Sequence, residues 1–443
     1  MPTPPAPRPW VPAPLAAALQ ARAEHYQALS PDELEAALAA ALSAHERFMD
    51  RECLSLYAGT NIMNPRAARW LASTVGSRPS LGYPGDKYET GLAHAEQLEI
   101  MAVELIRELF HCRYVEFRVG SGSLANLYAF MATTRPGDRI LAFPAAAAGH
   151  VTHHREGAAG LYGLEVHPVP FDAARLAVDL SALREQAWAL KPRLIVVAGS
   201  LCLFPYDVGA VRAIADEVGA YVLYDAAHMS GLIAGGRFQQ PLAEGAHLMT
   251  TSTYKSFGGP PAGLVLTDDP GLAQRLDLIA YPGLTANFDL GKTAALIVAA
   301  LDLKEYGPAY AAACIANAQA LAEALAARGV PVHGAAGRGF TASHHVALPA
   351  YRWGGGTRAS RQLEPANLLA SGIGLPLPEI ARDFNAVRLG TQEITRWGLT
   401  PAEMPAVAEL MARVLVRGEA PKQVRPDVVA LRRGFQTLHY VRA

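Results

Sequence analysis

Short apolar segments alternate with helix-like stretches through the middle of the chain, and this alternation constrains the fold more than any other feature. Residues 193–200 and 220–225 have the composition of buried strands, and the neighbouring stretches 180–190 and 211–218 carry helical patterns. Parallel strands need long crossover connections, which helices supply. The pattern therefore predicts an α/β fold, in which a mostly parallel sheet is covered by helices on both faces.

The length of 443 residues allows two or three domain-sized units. We predict an N-terminal arm with helices over residues 1–55, a large domain over 56–304 and a smaller C-terminal α/β domain over 305–443. In the arm, the run Ser30-Pro31-Asp32-Glu33 is typical of a helix start, with Ser30 as the N-cap. The proline-rich residues 1–7 lack the basic-then-apolar order of a signal peptide, and we expect a flexible tail or an extended arm there.

Charge and cysteine content exclude several classes of function. The formal net charge is −1, which gives no attraction for a polyanion, so nucleic-acid binding is not expected. No apolar run reaches the length of a membrane span, so we expect no membrane association. The four cysteines lie far apart without a Cys-x-x-Cys pattern, and we predict neither a metal site nor a disulfide scaffold. A reducing cytoplasm is the compartment that fits this cysteine usage.

Polar residues end several of the predicted strands. Ser200 and Asp225 close two of them, and Lys255 follows a third within a run of small hydroxyl, glycine and proline residues. In an open α/β sheet, ligands bind at the carboxyl ends of the strands. A lysine amine that is kept from water has a lowered pKa and can form a Schiff base, as in pyridoxal 5'-phosphate enzymes. On this stretch alone, a loop lysine without chemistry remains the alternative.

A glycine and serine turn lies between a predicted strand and a predicted helix. Residues 115–119 alternate like a strand, and Ser121, Gly122 and Ser123 lie between them and the helical run that ends near Thr134. Backbone N–H groups and serine hydroxyls at a helix N-terminus bind phosphate, and the helix dipole favours the negative charge. This turn is therefore a candidate phosphate site, and an ordinary tight turn is the alternative.

Asp225 is a candidate partner for a cofactor ring. A buried aspartate can keep a pyridinium nitrogen protonated and so make the ring an electron sink. Without a cationic partner its burial would be costly, although an aspartate at a strand end can also cap the next helix. Together, Asp225, Lys255 and the upstream phosphate turn resemble the signature of fold-type-I pyridoxal phosphate enzymes.

From roughly Ser55 to Arg396 the chain resembles serine hydroxymethyltransferase. The resemblance rests on the motifs Gly82-Tyr83-Pro84-Gly85, Ser121-Gly122-Ser123-Leu124-Ala125-Asn126, Gly149-His150-Val151-Thr152-His153, Asp225 to Leu232, the run around Lys255, and Arg388-Leu389-Gly390-Thr391. It implies a fold-type-I transferase with a seven-stranded sheet, pyridoxal 5'-phosphate as cofactor, an amino-acid substrate, and a homodimer with shared active sites.

The resemblance also implies a role for each matched residue. Lys255 would carry the cofactor, Asp225 would pair with the pyridine nitrogen, and His150 would stack on the ring. Arg388 would bind the substrate carboxylate, for which a guanidinium fork is suited; a domain-interface ion pair is the alternative. For His150 the alternative is an ordinary loop histidine. The remaining cofactor contacts expected are Ser200 and His228 at the ring hydroxyl, and Ser121, Gly122, Ser123 and Tyr254 at the phosphate.

Several residues depart from the family pattern, and some of them lie where the family handles folate. Leu81 replaces the glutamate that precedes the Gly-Tyr-Pro-Gly motif, and Glu89 replaces the second tyrosine that follows it. A leucine cannot move a proton. The other departures are Pro79, Tyr254, Pro261, and the stretches 282–287 and 374–378.

These features predict aldol or retro-aldol chemistry on a β-hydroxy amino acid of the serine, threonine or α-methylserine type. We expect an aldolase or transaldolase that does not use tetrahydrofolate, with Glu89 and His153 as candidate bases. Three alternatives remain at this point: a folate-dependent hydroxymethyltransferase, an amino-acid racemase or transaminase, and a non-catalytic scaffold.

Overall fold

The computed structural model describes residues 8–443, so the tail predicted over residues 1–7 lies outside the described residues. The chain forms two compact units, Met1–Cys53 and Leu54–Ala443. The first unit contains helices Ala13–Gln27 and Pro31–Arg47 and the short turn Phe48–Glu52. Ser30 caps the second helix as predicted, because its hydroxyl accepts from the N–H of Glu33 while the Glu33 carboxylate accepts from the N–H of Ser30.

A seven-stranded sheet forms the centre of the second unit, and it confirms the predicted α/β fold. Gly263–Thr267 is antiparallel to both of its neighbours, and the other strands share one direction. The order across the sheet is Tyr114–Val119, Gly263–Thr267, Leu248–Ser252, Tyr221–Asp225, Leu194–Val197, Arg139–Ala142 and Glu165–Pro168.

The strand directions bring the predicted site residues to one edge of this sheet. Asp225 pairs with Thr250, and Ser252 pairs with Gly263, which in turn pairs with Val119. The carboxyl ends of three strands therefore meet, and the segments that leave them carry the phosphate turn, Asp225 and Lys255. This is the edge at which such sheets bind ligands.

One helix, Leu290–Ala327, spans 38 residues and packs in two hydrophobic cores. Its N-terminal part, up to Tyr310, contributes Leu296, Leu303 and Tyr310 to the core of the large sheet. Its second half contributes Leu321 and Leu325 to a core around a smaller sheet, which also contains Leu54 and Leu56. The domain boundary predicted between residues 304 and 305 falls inside this continuous helix, and the three-part division stays a prediction.

The smaller sheet is antiparallel and carries Arg388 on its central strand. Ala386–Gly390 pairs on one side with His345–Pro349 and on the other with Ser371–Ile373. Arg388 lies opposite Ala347 and Ser371, and this register directs its side chain to the edge that bears Lys255.

Outside the two sheets, the second unit consists of helices, short strands and turns. Its helices are Pro65–Leu71, Ala95–Phe110, Gly122–Thr133, Ala158–Leu161, Leu180–Leu190, Val208–Val218, Ser230–Ala234, Pro270–Leu278, Leu290–Ala327, Gly356–Leu363, Gln392–Arg396, Met404–Leu415 and Pro421–Arg433. The short strands are Leu54–Ser55, Gly82–Tyr83, Asp86–Lys87, Phe171–Asp172, Ala177–Val178 and Leu368–Leu369. Across residues 8–443, none of the helices combines the length and apolar character needed to span a bilayer.

Candidate active site

Lys255 lies in a buried loop that follows strand Leu248–Ser252. Its side chain is almost wholly buried, and this burial lowers the pKa of the amine to about 8, against the opposing influence of the Asp225 charge. Side chains from distant segments bind the carbonyl groups of the loop: Asn61 Nδ2 donates to Lys255 O at 3.0 Å, and Tyr310 Oη donates to Ser256 O at 3.1 Å. The loop is therefore fixed from outside as well as by its own turn.

His228 connects Lys255 with Arg388. Its Nδ1 lies 3.2 Å from Ala58 O and donates to it, which leaves Nε2 as an acceptor. Lys255 Nζ and the Arg388 guanidinium each lie 3.3 Å from this Nε2. Burial, followed by the two neighbouring charges, holds the pKa of His228 well below its usual range, so the ring is neutral.

Arg388 enters the site as an incompletely paired buried cation. Its guanidinium donates to the carbonyl of Ser200 and, at 3.2 Å, to Ser371 Oγ. Among the described residues, its buried Nε has no hydrogen-bond partner. Burial lowers the pKa of Arg388 to about 10. The groups that its guanidinium contacts are the Ser200 carbonyl, the neutral His228 ring and the Ser371 hydroxyl, none of which is a carboxylate. Such a cation is suited to bind a carboxylate that comes from outside.

Asp225 is held as a carboxylate by donors on both oxygens. Oδ2 accepts from His153 Nε2 at 2.9 Å and from Asn126 Nδ2 at 3.0 Å, and Oδ1 accepts from the N–H of Ala227 at 2.9 Å. Burial opposes the ionisation of Asp225, but the hydrogen bond and charge of His153 outweigh it and hold the pKa of Asp225 below its usual range. The result is a fixed negative charge beside Lys255.

His150 is a neutral imidazole with a defined tautomer. Its Nδ1 accepts from the N–H of Thr152 at 3.3 Å and lies 2.7 Å from the Thr152 hydroxyl, which in turn accepts from Asn126 Nδ2. Burial lowers the pKa of His150 to about 4. Asn126 and Thr152 therefore connect His150 with Asp225.

The phosphate turn lies against the strand that leads to Lys255. Ser121 caps helix Gly122–Thr133, and its hydroxyl accepts from the N–H of Leu124 at 3.2 Å. A Cβ at Gly122 would lie 2.1 Å from Ser252 Oγ, and a Cβ at Gly263 would lie 2.5 Å from Ser121 O. These close approaches require glycine, and they bring free N–H groups of a helix N-terminus to the same edge as Asp225 and Lys255.

This arrangement fits pyridoxal 5'-phosphate. A lysine amine, a carboxylate held ionised, a neutral histidine and a helix N-terminus lie at one edge of the sheet. Each supplies what one part of this cofactor requires: the aldehyde carbon, the ring nitrogen, the ring face and the phosphate. Within residues 8–443, no group of three or more His, Cys, Asp or Glu side chains is arranged to hold a metal ion.

The two predicted bases, His153 and Glu89, lie in different surroundings. His153 is wholly buried and its Nε2 is bound to Asp225, and its role as a base stays a prediction. Glu89 contacts its own loop, since its carboxylate accepts from the N–H of Leu81 at 2.9 Å. No hydrogen bond among the described residues joins Glu89 to Lys255 or Arg388, and its role as a base stays a prediction.

Three other residues predicted to contact the cofactor, Ser200, Tyr254 and Ser123, differ in their contacts and their exposure. Ser200 meets Arg388 through its carbonyl oxygen. The Tyr254 ring is half-buried, with its centroid 5.8 Å from Lys255 Nζ. Ser123 is exposed on the first turn of its helix.

Sequence reasoning did not single out five polar residues that support the site. Asn126 lay within a quoted motif, but nothing in its spacing showed that it would reach Asp225. The others act on the Lys255 loop or on Arg388 from segments far away in sequence, and only the fold brings them there. They are Asn61, Tyr310, Ser371 and Arg396.

Sequence comparison with known proteins identifies the family of this chain. The sequence model of the serine hydroxymethyltransferase family matches residues 33–411. An alpha-methylserine aldolase from Ralstonia sp is 49% identical over 98% of this chain and 99% of its own length. Another from Variovorax paradoxus is 51% identical over 98% of each chain.

More distant relatives share the fold. A serine hydroxymethyltransferase from Methanopyrus kandleri is 40% identical over 90% of this chain and 93% of its own. The crystal structure of an L-threonine transaldolase from Pseudomonas fluorescens superposes with a TM-score of 0.84 at 23% identity, over 93% of this chain and 94% of that one. The chain therefore belongs to the serine hydroxymethyltransferase family, and its cofactor is pyridoxal 5'-phosphate.

Proposed function

We propose that this enzyme is an aldolase that cleaves an α-methyl-β-hydroxy amino acid, with α-methylserine as its principal substrate, and does so without tetrahydrofolate. In this reaction the bond between Cα and Cβ breaks, the β-hydroxyl loses its proton, and Cβ leaves as formaldehyde. Cα takes up a proton, so the amino-acid product is alanine. The names and near-complete coverage of the relatives from Ralstonia and Variovorax support this substrate.

One observation carries the proposal: Arg388 and Lys255 converge on a single acceptor, His228 Nε2, at 3.3 Å each. A carboxylate on Arg388 would place the amine of the same amino acid beside Lys255. The buried Nε of Arg388, which has no partner within the described chain, offers the second N–H of a bidentate fork. The site thus selects a free α-amino acid and fixes it at two points.

When bound, pyridoxal 5'-phosphate supplies an aldehyde that condenses with the substrate amine and a protonated ring that withdraws electrons from Cα. The chain prepares this in three ways. Asp225 holds a negative charge for the ring nitrogen, and His153 and Asn126 hold Asp225 in place. His150 stays neutral because it is buried, so it can cover the ring without adding charge. Lys255 Nζ, with a pKa of about 8, can take up or release a proton near neutral pH.

The absence of an acid at residue 81 supports the folate-independent reading. Leu81 offers no side-chain proton, and its backbone N–H is already bound to Glu89. The aldol cleavage itself needs only removal of the hydroxyl proton and stabilisation of the charge at Cα. The residues proposed to hold the cofactor, Lys255, Asp225, His150 and the phosphate turn, which we call the cofactor seat, would provide this stabilisation of charge.

A direct test is to incubate the purified holoenzyme with α-methyl-L-serine in folate-free buffer and to measure formaldehyde and alanine. We expect equal amounts of both, at a rate that tetrahydrofolate changes by less than about twofold, whereas loss of a needed acid–base group alters rates by 10²–10⁴-fold. Strict dependence on tetrahydrofolate would establish a hydroxymethyltransferase instead. Exchange of the Cα proton of alanine with solvent deuterium, without any release of aldehyde, would establish a racemase.

We further propose a homodimer in a reducing cytoplasm. Apolar side chains exposed at helical spacing on Pro31–Arg47, namely Leu34, Leu38 and Leu42, support an arm that packs on a second copy. Cys112, Cys202 and Cys314 are buried thiols, and burial raises the pKa of each to about 12, which fits a compartment without disulfides. Sedimentation of the holoenzyme would show the dimer, and a monomer that retains full activity would exclude shared active sites.

A further inference from the structure

A segment near the end of the chain, which we call the strap (residues 435–443), joins the two hydrophobic cores of the second unit. Phe435 and Leu438 pack against the core around the smaller sheet. Two residues later, Tyr440 packs against the core of the large sheet. The strap follows helix Pro421–Arg433 and lies beyond residues 33–411, the part that the family model matches.

Main-chain hydrogen bonds anchor the strap at both ends of this crossing. The N–H of His439 donates to Arg396 O at 2.7 Å, and the N–H of Arg442 donates to Asp302 Oδ1 at 2.8 Å. Asn64 Nδ2 donates to Arg442 O at 3.1 Å and also to both oxygens of Asp302. Asp302 is 1% exposed, so these donors compensate a buried charge.

The fit of the strap around His439 is close. A Cβ at Gly398 would lie 2.6 Å from two atoms of the His439 ring, and Gly398 has a φ of +88°. A residue without a side chain is therefore required opposite the ring, in a conformation that favours glycine. The next residue, Tyr440, packs against the core of the large sheet, where its ring lies next to that of Tyr310.

Two residues that contact the strap, Tyr310 and Arg396, hold the Lys255 loop. The Tyr440 and Tyr310 rings are 5.7 Å apart, and the Arg396 guanidinium lies 5.4 Å from the Tyr310 ring. Tyr310 Oη donates to Ser256 O, and Arg396 donates to the carbonyls of Gly258 and Phe257 at 3.3 and 3.5 Å. Arg396 is 1% exposed, so its position depends on groups that cover it.

We propose that the strap is a positioning element for the cofactor lysine. Tyr440 packs on Tyr310, and the N–H of His439 binds the carbonyl of Arg396. Tyr310 and Arg396 in turn bind three successive carbonyls of the Lys255 loop and so fix the direction of the lysine side chain. This inference rests on the proposed role of Lys255. Nothing in the strap touches the cofactor seat or the substrate, so it acts only through the loop.

The strap also keeps water from the loop carbonyls. If Tyr440 loses its ring, the aromatic face that covers Tyr310 is replaced by solvent, and the Arg396 hydrogen bonds to main-chain oxygens compete with water. The loop then becomes mobile and Lys255 is better hydrated. Hydration removes part of the burial that disfavours its charged form, so a larger share of the amine is protonated near neutral pH. The charged groups nearest Lys255 are Asp225 and Arg388, and the strap contacts neither of them.

The test compares Tyr440→Ala with Tyr440→Phe and with Thr437→Ala in the full-length chain. Tyr440→Phe keeps the ring, and the Tyr440 hydroxyl forms no hydrogen bond with the described residues, so this variant should match the wild type. Thr437 is exposed on the strap and serves as the matched control. Two quantities are measured: the rate at which cofactor-stripped protein rebinds pyridoxal phosphate as a function of pH, and kcat and KM for α-methylserine.

For Tyr440→Ala we expect the midpoint of the rebinding profile to rise by about one pH unit, which is a tenfold smaller share of neutral amine. We also expect kcat to fall by about tenfold while KM changes by less than twofold, as for an interaction that matters only after binding. A purely structural role would lower the amount of active protein and leave the midpoint in place. A midpoint equal to that of Thr437→Ala would therefore overturn the proposal.

Two further points keep this test decisive. If Tyr440→Ala does not fold, Tyr440→Leu retains an apolar side chain and should shift the midpoint in the same direction by a smaller amount; no shift in a folded Tyr440→Leu overturns the proposal. Rebinding of pyridoxal phosphate does not involve the amino-acid substrate. If the wild type cleaves no α-methylserine, the proposed function fails while the rebinding midpoints still decide the role of the strap.

Discussion

The Lys255 loop and the loop over residues 78–89 are both irregular and rich in glycine and proline, but the first is buried and the second is largely exposed. Around Lys255, the side chains of Thr253 to Phe257 are buried apart from the half-buried Tyr254, and distant polar groups bind the main chain. In the 78–89 loop, Tyr83 and Tyr88 are 57% and 81% exposed.

The 78–89 loop is nevertheless anchored at one point. Lys87 Nζ lies 2.7 Å from both oxygens of Glu99, and the Ser80 hydroxyl donates to the same carboxylate at 2.6 Å; these three side chains are buried. The anchor is a hydrogen-bonded ion pair that holds the base of the loop, while its tip stays open. The comparison places the lysine proposed to carry the cofactor in an enclosed loop. The open loop keeps the motif Gly82-Tyr83-Pro84-Gly85, but Leu81 and Glu89 on either side of it depart from the family pattern.

The largest effect expected is that of Lys255→Ala, which removes the one amine of the enclosed loop. Aldehyde release should fall by about 10³-fold or more, because in the proposed role this amine serves both cofactor attachment and proton movement at Cα. The visible absorbance of bound pyridoxal phosphate should change as well. Lys304→Ala is the matched control, since Lys304 is half exposed and forms an ion pair with Glu108. Equal activity of the two variants would contradict the assignment of Lys255.

Arg388→Lys tests the second buried cation of the same region. A lysine keeps the charge but cannot form the two parallel N–H contacts of a guanidinium, so KM for the amino acid should rise by about 10–100-fold, in line with about 1.5–3 kcal/mol for a charged hydrogen bond. The cofactor spectrum should stay unchanged. Arg361→Lys, at an exposed position, should have wild-type kinetics. A lost cofactor spectrum in Arg388→Lys would mean that the arginine supports the fold and not the substrate.

The sequence predicted the residues around the Lys255 loop better than it predicted the side chains that bind the main chain of this loop. Strand-end serine, aspartate and lysine residues follow from the apolar periodicity, and the direction of parallel strands brings them together. The carbonyl contacts from Tyr310 and Arg396 could not be read from sequence, because they depend on how the long helix and the smaller sheet pack against the large one. The contact between His153 and Asp225 could not be read from the sequence for the same reason, and the role of His153 as a base stays a prediction. Its motif placed it near the cofactor, but only burial shows that its ring serves Asp225.

His153→Ala measures what that support contributes. Asp225 would keep the donors Asn126 and Ala227, so the charge stays partly compensated and activity should fall by only about tenfold. The variant should also change the pH dependence of activity. Because the hydrogen bond from His153 lowers the pKa of Asp225, its loss raises that pKa and moves the acid limb of the activity profile to higher pH. His153→Gln restores a donor and should reverse much of the shift. An acid limb that does not move would show that Asn126 and the N–H of Ala227 suffice to hold the carboxylate.

The smallest effect expected is that of Glu89→Gln in the open loop. Glutamine keeps an oxygen that can accept from the N–H of Leu81, so the loop conformation should persist while the negative charge is lost. If Glu89 is only a brace, aldehyde release should fall by less than about threefold, whereas loss of a general base would lower kcat by about 10²–10⁴-fold.

Glu89→Ala separates the two roles further, because it removes both the charge and the acceptor. Under the brace interpretation the alanine variant should be the weaker of the two; under the base interpretation both should be equally impaired, since neither carries a carboxylate. Glu96→Gln is the control, since the Glu96 carboxylate also binds a main-chain N–H of this loop, that of Gly85, at an exposed position. A large and equal loss in both Glu89 variants would place the proton chemistry of the reaction in the open loop, and the division between a cofactor loop and a non-catalytic loop would no longer hold.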